Sequence, residues 1–339
     1  MGGDDMRHQT FIKGLALVTM VLFLSQCREQ ASFYSNVLRS DVFYQLYQDS
    51  RYDFLWVFDN SQSMAPRRTY VRDNLQTFLN ILNSRKAIDY QMAVVTTDYF
   101  TENGNLVKSG SGIEVVKSTD PDPVGDMASL INAVADSPTS FWEQGLESAY
   151  QAVFNHRAKF SRTGVPLVIV FLTDEEDWSC KEDCYGVEPE NNTNWKAWPL
   201  DRYTNYFKQI KASENSEVIA FPIVGLDSST CTVASLGARY EGLQVALGGV
   251  GVSGSICVDE LQESYQNVAR IVADRGMRFQ LSYPASGQGI SVFVDRQNVP
   301  YSEDDGYIFE ASTNSIIFTG TAVPKNGAMV EVVYSQFSE

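Results

Sequence analysis

Three oxygen-bearing side chains follow an apolar run at alternating positions. Residues 54–58 (FLWVF) end at Asp59, and Ser61 and Ser63 come next at every second position. One carboxylate and two hydroxyls at this spacing offer the hard oxygen ligands that Mg²⁺ prefers, and Mg²⁺ often keeps waters or a carboxylate of another molecule in its shell. The residues therefore predict a site for a small divalent cation.

A later apolar run ends in the same manner. The sequence VIVFL is followed by Thr173 and Asp174, and a hydroxyl pair, Thr139 and Ser140, lies between the two runs, just before a predicted helix. Ligands of an open α/β sheet bind at the carboxyl ends of its strands, where the connecting loops converge. We expect these loops to bring two carboxylates and several hydroxyls to one rim.

The spacing of apolar residues predicts the elements that position this rim. Strand-like runs alternate with helical periodicity, and runs such as VPLVIVFL are typical of strands that are covered on both faces. The predicted strands are 52–58, 90–96, 165–172, 217–224 and 279–283, and the predicted helices are 68–85, 142–157, 204–213 and 261–273. This order predicts an α/β fold with a doubly wound, mainly parallel sheet over residues 51–283.

The pattern changes at residue 284. Short alternating segments, 290–294, 306–310, 315–319 and 329–334, are separated by turn-forming residues and show no helical period. Residues 284–339 are therefore predicted to form a small all-β module, resembling a partial sandwich. A module of this size is marginal alone, so we expect it to pack on the α/β domain.

The N-terminal segment predicts export. Residues 15–24 (LALVTMVLFL) have the length of a signal-peptide apolar region and are short for a membrane span. The following Leu-Ser-Gln-Cys resembles a bacterial lipobox, so residues 1–26 are expected to be a lipoprotein signal peptide and Cys27 to carry lipid. Residues 27–50 are then a tether and lead-in. The alternative is an ordinary cleaved signal peptide. Arg28 after the cysteine favours the outer membrane.

The cysteines agree with an oxidising compartment. Apart from Cys27 there are four, and an even number in an exported chain suggests two disulfides, with three possible connectivities. Proximity in sequence favours Cys180–Cys184 and Cys231–Cys257. A structural zinc site is the rival interpretation, although the spacings fit it poorly.

The motif Asp59-x-Ser61-x-Ser63 after FLWVF, with a later strand ending in LTD, resembles the von Willebrand factor A domain and its metal-ion-dependent adhesion site. The resemblance implies that Ser61 and Ser63 bind the metal directly and that Asp59 binds it through water. It also implies that Asp174 and a loop threonine complete the site.

Two positions depart from the family pattern. The usual distance to the following Gly145-Leu146 favours Ser140 as the loop hydroxyl, and Thr139 lies one residue away, so that assignment stays open. Glu175 stands where the family usually has glycine. The whole chain also resembles bacterial lipoproteins that carry this domain, through segments such as DFLWVFDNSQSM, FLTDEEDWSC and GISVFVDRQNVP.

Composition and motifs limit the function. A net charge of −16 over 339 residues argues against unaided nucleic-acid binding, and no G-x-S-x-G, P-loop or H-E-x-x-H motif is present. We expect no enzyme but a lipid-anchored envelope protein that binds a protein partner through Mg²⁺, or Mn²⁺ or Ca²⁺, with an acidic side chain of the partner completing the metal shell. The alternatives are a structural envelope component whose metal only stabilises the loops and, less favoured, a metal-assisted hydrolase.

Overall fold

The computed structural model describes residues 37–45, 51–84, 87–136, 142–180, 197–226, 234–249, 251–257, 259–311, 313–325 and 327–336. The signal peptide predicted for 1–26 and Cys27 lie outside these ranges. So do Cys184 and Cys231, one member of each expected cysteine pair. The two disulfides and the lipid anchor therefore stay predictions.

The elements are numbered in chain order. The strands are β1 (Val37–Tyr44), β2 (Arg51–Phe58), β3 (Asp89–Thr96), β4 (Val115–Lys117), β5 (Leu167–Leu172), β6 (Val218–Val224), β7 (Gly254–Ser255), β8 (Arg278–Gln280), β9 (Ser291–Val294), β10 (Gln297–Val299), β11 (Gly306–Glu310), β12 (Ser315–Thr319) and β13 (Met329–Gln336). The helices are α1 (Ala65–Asp73), α2 (Leu75–Leu82), α3 (Tyr99–Glu102), α4 (Pro123–Asn132), α5 (Gly145–Phe160), α6 (Leu200–Ala212), α7 (Ala238–Ala246) and α8 (Leu261–Asp274).

A six-stranded sheet in the order β4-β3-β2-β5-β6-β7 forms the centre of the molecule. Every pairing in it is parallel except that of β4 with β3. Alternate residues of β2 enter different cores: Trp56 packs on the face covered by α1, α2, α4 and α8, and Val57 on the face covered by α5, α6 and α7. The predicted doubly wound, mainly parallel α/β fold is confirmed.

An aromatic cluster fixes α2 and α8 on the first face. The ring centroid of Phe78 lies 5.4 Å from that of Trp56, 4.9 Å from that of Tyr265 and 6.3 Å from that of Phe54. All four side chains are buried. Because strand β2 carries two of these rings, the cluster holds the strand whose end begins the candidate site.

The helix predicted over 68–85 is divided in two. Helix α1 ends at Asp73 and α2 begins at Leu75, since Asn74 has a non-helical backbone and its side-chain amide donates to the carbonyl of Tyr70 at 2.8 Å. Helix α4 was not predicted, although Asp122 caps it by accepting from the Gly125 amide at 2.9 Å and Pro123 begins it.

Two antiparallel sheets confirm the all-β module. Their orders are β1-β13-β9-β10 and β11-β12-β8. They share a core that is separate from the two cores of the α/β domain, with buried members that include Phe279, Val292, Phe318, Val332 and Tyr334. This is the sandwich-like arrangement that the alternating segments predict.

The module begins earlier in the chain than residue 284. Strand β1 pairs with β13 along its whole length, from Val37 opposite Gln336 to Tyr44 opposite Met329, so the lead-in predicted for 27–50 contains a strand of the module. Strand β8 pairs with β12 instead of joining the parallel sheet. It follows α8 closely, and Arg278 bridges Asp274 of that helix and Glu310 of β11.

No helix within the described ranges combines the length and the apolar character that crossing a membrane requires.

Truncating the central aromatic tests this packing. We expect Phe78→Ala to lower the free energy of unfolding by about 3–5 kcal/mol, because it opens a cavity among three other rings. Phe154→Ala is the matched control, since Phe154 is 61% exposed, and should cost less than about 1 kcal/mol. Urea unfolding followed by tryptophan fluorescence measures both, and equal losses would contradict the packing described.

Candidate metal site

The site lies where two neighbouring parallel strands end. Phe58 of β2 is paired in register with Leu172 of β5, and the amide of Asp59 donates to the carbonyl of Leu172 at 3.0 Å. Asp59 and Thr173 therefore leave the sheet side by side. This register places the two loops against each other, as the sequence predicts.

Four of the predicted ligands come together here. The hydroxyls of Ser61 and Ser63 are 2.9 Å apart, and the hydroxyl of Ser63 donates to Asp174 Oδ1 at 3.1 Å. Ser61 is the N-cap of a short 3-10 turn, Gln62–Met64, that contains Ser63. Ser63 is exposed, while Asp59, Ser61 and Asp174 are buried. The two carboxylates of the cluster are therefore buried, and the Ser63 hydroxyl lies at its solvent-facing rim.

Asp59 ties the two loops together. Its Oδ1 accepts from the backbone amide of Ser61 at 2.7 Å, and its Oδ2 accepts from the hydroxyl of Thr173 at 2.7 Å. The side chain has no exposed area. Both of its oxygens therefore have defined partners, and this carboxylate sets where Ser61 lies relative to the β5 loop.

The oxygen separations fit a small divalent cation. In an octahedral shell with metal–oxygen distances of about 2.1 Å, neighbouring oxygens lie about 3.0 Å apart. The two separations that involve Ser63, 2.9 Å to Ser61 and 3.1 Å to Asp174, match that edge length. The donor set is also of the right chemistry, because hydroxyl and carboxylate oxygens are hard ligands.

Two arginines that the sequence analysis did not single out surround the cluster. Arg67 donates to Asp174 Oδ2, to the Ser63 carbonyl and to the Ile256 carbonyl, each at 3.1 Å. It contacts the oxygen of Asp174 that faces away from Ser63. Arg67 therefore fixes the orientation of this carboxylate and leaves Oδ1 toward the serines.

The side chain of Arg68 binds the backbone carbonyls of the first loop. One terminal nitrogen donates to the carbonyls of Asp59 at 2.7 Å and Ser61 at 2.9 Å, and the other forms an ion pair with Asp136. Both arginines are buried. A sequence signal existed, since consecutive arginines follow the motif at the start of a helix, but charged residues there usually lie on a solvated face.

Electrostatics favour additional positive charge in the cluster. Burial and, after it, the charge of Asp59 raise the pKa of the Asp174 carboxyl, and the charge of Arg67 opposes this. Burial, followed by the charges of Asp59 and Asp174, raises the pKa of Glu175 to about 7. At Asp174 the charge of Asp59 has a larger effect on the pKa than the charge of Arg67, so a nearby cation would stabilise the ionised carboxylate.

The loop hydroxyls, Thr139 and Ser140, lie outside the described residues, so the choice between them stays open. The described chain before them approaches the site, because the Asn60 side-chain amide donates to the Ala135 carbonyl at 3.3 Å and Asp136 pairs with Arg68. Within the described ranges, no group of three or more His, Cys, Asp or Glu side chains is placed to hold a metal. The candidate site is defined instead by the contacts among Asp59, Ser61, Ser63 and Asp174.

Comparison with known proteins identifies the domain. Residues 53–193 match the family model of the von Willebrand factor type A domain. The match includes β2, β5 and the four clustered residues, and the sheet continues beyond it through β6 and β7. No curated protein matches the chain.

Several solved structures resemble this one. The pilus adhesin SpaC of Lactobacillus rhamnosus GG is 12% identical with a TM-score of 0.46, covering 88% of this chain and 40% of that one. The pilus adhesin RrgA of Streptococcus pneumoniae is 9% identical with a TM-score of 0.36, covering 88% and 58%. The manganese-loaded TRAP protein of Plasmodium vivax is 11% identical with a TM-score of 0.30, covering 79% and 92%. This chain thus spans less than half the length of SpaC.

Asp59 and Ser63 should differ in their effect on stability when all metal is chelated. We expect Asp59→Ala to lower the free energy of unfolding by about 2–4 kcal/mol, because it leaves two buried donors, the Ser61 amide and the Thr173 hydroxyl, without their acceptor. Ser63→Ala removes an exposed hydroxyl and should cost less than about 0.5 kcal/mol. Denaturant unfolding in excess EDTA measures both. Similar losses in the two variants would refute the role assigned to Asp59.

Proposed function

Because the chain carries a von Willebrand factor type A domain over residues 53–193, we propose that it binds a protein partner through a divalent cation at the end of its central sheet. Asp59, Ser61, Ser63 and Asp174 would hold the cation, with Ser140 or Thr139 as a further ligand. When bound, the cation supplies a Lewis-acidic position that an acidic side chain of the partner can occupy. The observation that supports the proposal best is the convergence of three side-chain oxygens, with the Ser63 hydroxyl 2.9 Å from that of Ser61 and 3.1 Å from Asp174 Oδ1.

The protein's own residues prepare this position. Asp59 fixes the loop that carries both serines, and Arg67 turns one oxygen of Asp174 toward Ser63. Ser63 lies at the solvent-facing rim, so a partner's carboxylate would approach from its side. A preorganised ligand set of this kind lowers the cost of ordering the site when the cation and the partner bind.

The spacing favours a small cation. Mg²⁺ requires near-octahedral geometry with metal–oxygen distances of about 2.0–2.1 Å, whereas Ca²⁺ takes about six to eight oxygens in more variable arrangements. The observed separations of 2.9 and 3.1 Å are close to the edge of a Mg²⁺ octahedron, and Mn²⁺ is a close substitute for Mg²⁺. We therefore propose Mg²⁺ as the cation, with Mn²⁺ as its spectroscopic replacement.

The contacts of the two arginines argue against a purely structural metal. Arg67 and Arg68 already join the backbone of the first loop to Asp174, Asp136 and Ile256 by buried hydrogen bonds and ion pairs. A cation is not needed to hold these loops in place. A binding role therefore explains the site better than a stabilising one, and we assign it no reaction.

We also propose that the protein lies in the cell envelope. The lipobox-like segment that ends at Cys27 supports a lipid anchor, and Arg28 supports the outer membrane. The anchor would hold the protein at the membrane surface while the cation site faces the partner.

Removing one rim hydroxyl should weaken cation binding selectively. We expect the full chain to bind one Mn²⁺ at this site and Ser63→Ala to raise the dissociation constant at least about tenfold, as loss of a metal-shell interaction typically does. Titration followed by electron paramagnetic resonance of free Mn²⁺ measures this.

Ser111→Ala is the matched control for that titration. Ser111 is also exposed, and its hydroxyl also lies 2.9 Å from that of a serine two residues away, Ser109. The Ser111→Ala variant should bind Mn²⁺ with the affinity of the wild type. Unchanged Mn²⁺ affinity in the Ser63 variant would remove the basis of the proposal.

Partner capture tests the binding role itself. We expect the full chain to retain an envelope or target-cell protein in Mg²⁺ but not in EDTA, and Ser63→Ala to retain none. EDTA should lower the melting temperature of the wild type by no more than mass action at the measured Mn²⁺ or Mg²⁺ dissociation constant gives, because the arginines hold the loops without the metal. A large fall in melting temperature without any metal-dependent capture would favour the structural alternative instead.

A further inference from the structure

Strand β1 exposes an apolar stripe at the edge of the module. Leu38 is 69% exposed, Val42 52% and Tyr44 63%, and all three lie on the same face of the strand as Ser40. Strand β1 is the terminal strand of its sheet, and among the described residues it pairs only with β13. Exposed apolar side chains grouped on an edge strand are typical of interaction surfaces.

The edge carries few of the features that usually prevent strand pairing. Natural edge strands are protected by proline, lysine, bulges, short length or inward-pointing charges, and of these β1 has only the inward charges, Arg39 and Asp41. Strand β1 has the sequence VLRSDVFY, is eight residues long and runs in unbroken register with β13. Its backbone is therefore available for the addition of another strand.

The sequence of β1 is complementary to itself. We propose that a second copy of this chain occupies the edge, so that the two β1 strands pair antiparallel about a two-fold axis at Ser40. In this register Arg39 of each copy lies opposite Asp41 of the other, and Leu38 lies opposite Val42. Opposite charges and apolar side chains placed directly across two strands stabilise the pairing.

Neighbouring symmetric registers are less favourable. A two-fold axis perpendicular to the sheet leaves each side chain on the same face of the joined sheet. In such a symmetric antiparallel pair, one residue lies directly opposite the same residue of the other copy, and that residue marks the axis. An axis at Arg39 or at Asp41 would place like charges opposite each other, and an axis at Val42 would place Asp41 opposite Phe43. Only the axis at Ser40 pairs both charges and both aliphatic residues, and charge patterning therefore selects one register.

The contacts within one chain do not use every hydrogen-bonding atom of Arg39 and Asp41. Arg39 donates from Nε to Gln336 and stacks on Tyr283, and its terminal nitrogens form no hydrogen bond among the described residues. Asp41 accepts from the Ser282 amide and the Tyr334 hydroxyl through Oδ2 alone. Oδ1 is thus left for Arg39 of the second copy.

Pairing in this way joins two four-stranded sheets into one and is isologous, the commonest symmetry of soluble oligomers. It leaves the ends of β2 and β5 untouched, so each dimer would present two cation sites. Two linked sites bind a multivalent partner surface more tightly than one. The inference does not depend on the metal, since it rests on the β module alone.

Crosslinking tests the register. In the full chain in detergent solution, Ser40→Cys places two thiols across the axis, where directly opposite Cβ atoms are about 4.5–5.5 Å apart. We expect a short bismaleimide to convert this variant to a covalent dimer. Ser291→Cys is the matched control, because it is exposed in the same sheet but lies on β9, two strands from the edge. Equal crosslinking of the two variants, or none above wild type, overturns the proposal.

Charge reversal tests the pairing independently. Arg39→Asp should raise the dimer dissociation constant at least about tenfold in sedimentation equilibrium, since it puts carboxylates opposite each other twice. Adding Asp41→Arg should restore the dimer. If a melting experiment shows that this double variant is unfolded, the exposed pair Leu38 and Val42 offers a second test. Leu38→Glu should weaken the dimer, and Leu38→Glu combined with Val42→Lys should restore it. If none of these changes affects dimerisation, the dimer uses a different interface and the proposal is wrong. If the wild type is monomeric, the proposal is also wrong.

Discussion

The candidate site depends on one buried carboxylate. Asp59 leaves the sheet at the end of β2, accepts from the Ser61 amide on its own loop and accepts from the Thr173 hydroxyl on the loop of β5. The in-register pairing of Phe58 with Leu172 brings these partners within reach. A shift of one residue between the strands would turn Asp59 to the opposite side of the sheet and separate the serines from Asp174.

Buried arginines balance the charge that this arrangement concentrates. An unpaired carboxylate in the interior is costly, and here Arg67 pairs with Asp174 while Arg68 binds the backbone beneath Asp59. The compensation is incomplete, because burial and mutual repulsion still raise the pKa of Asp174 and Glu175. A divalent cation at the exposed Ser63 rim would stabilise the ionised form of these carboxyl groups.

Much of this could be predicted from sequence. The strands of the parallel sheet are predictable because burial on both faces demands unbroken apolar runs, and Asp59 and Asp174 follow directly from where two such runs end. Arg67 and Arg68 could not be predicted, because their role depends on carbonyls and carboxylates that only the fold brings near. The sequence predicts only a polar lead-in where β1 lies, since the partner strand β13 is at the other end of the chain and the inward side chains, Arg39 and Asp41, are polar.

The proposed function requires that the oxygens of Ser61, Ser63 and Asp174 form part of a small-cation shell. A crystal of the full chain grown with Mn²⁺ tests this most directly, through anomalous scattering at the manganese edge. The account predicts an anomalous peak within bonding distance of the Ser61 and Ser63 hydroxyls, at about 2.1–2.3 Å. A fully loaded crystal with no peak there, and with the two hydroxyls still bonded only to each other and to Asp174, would contradict it.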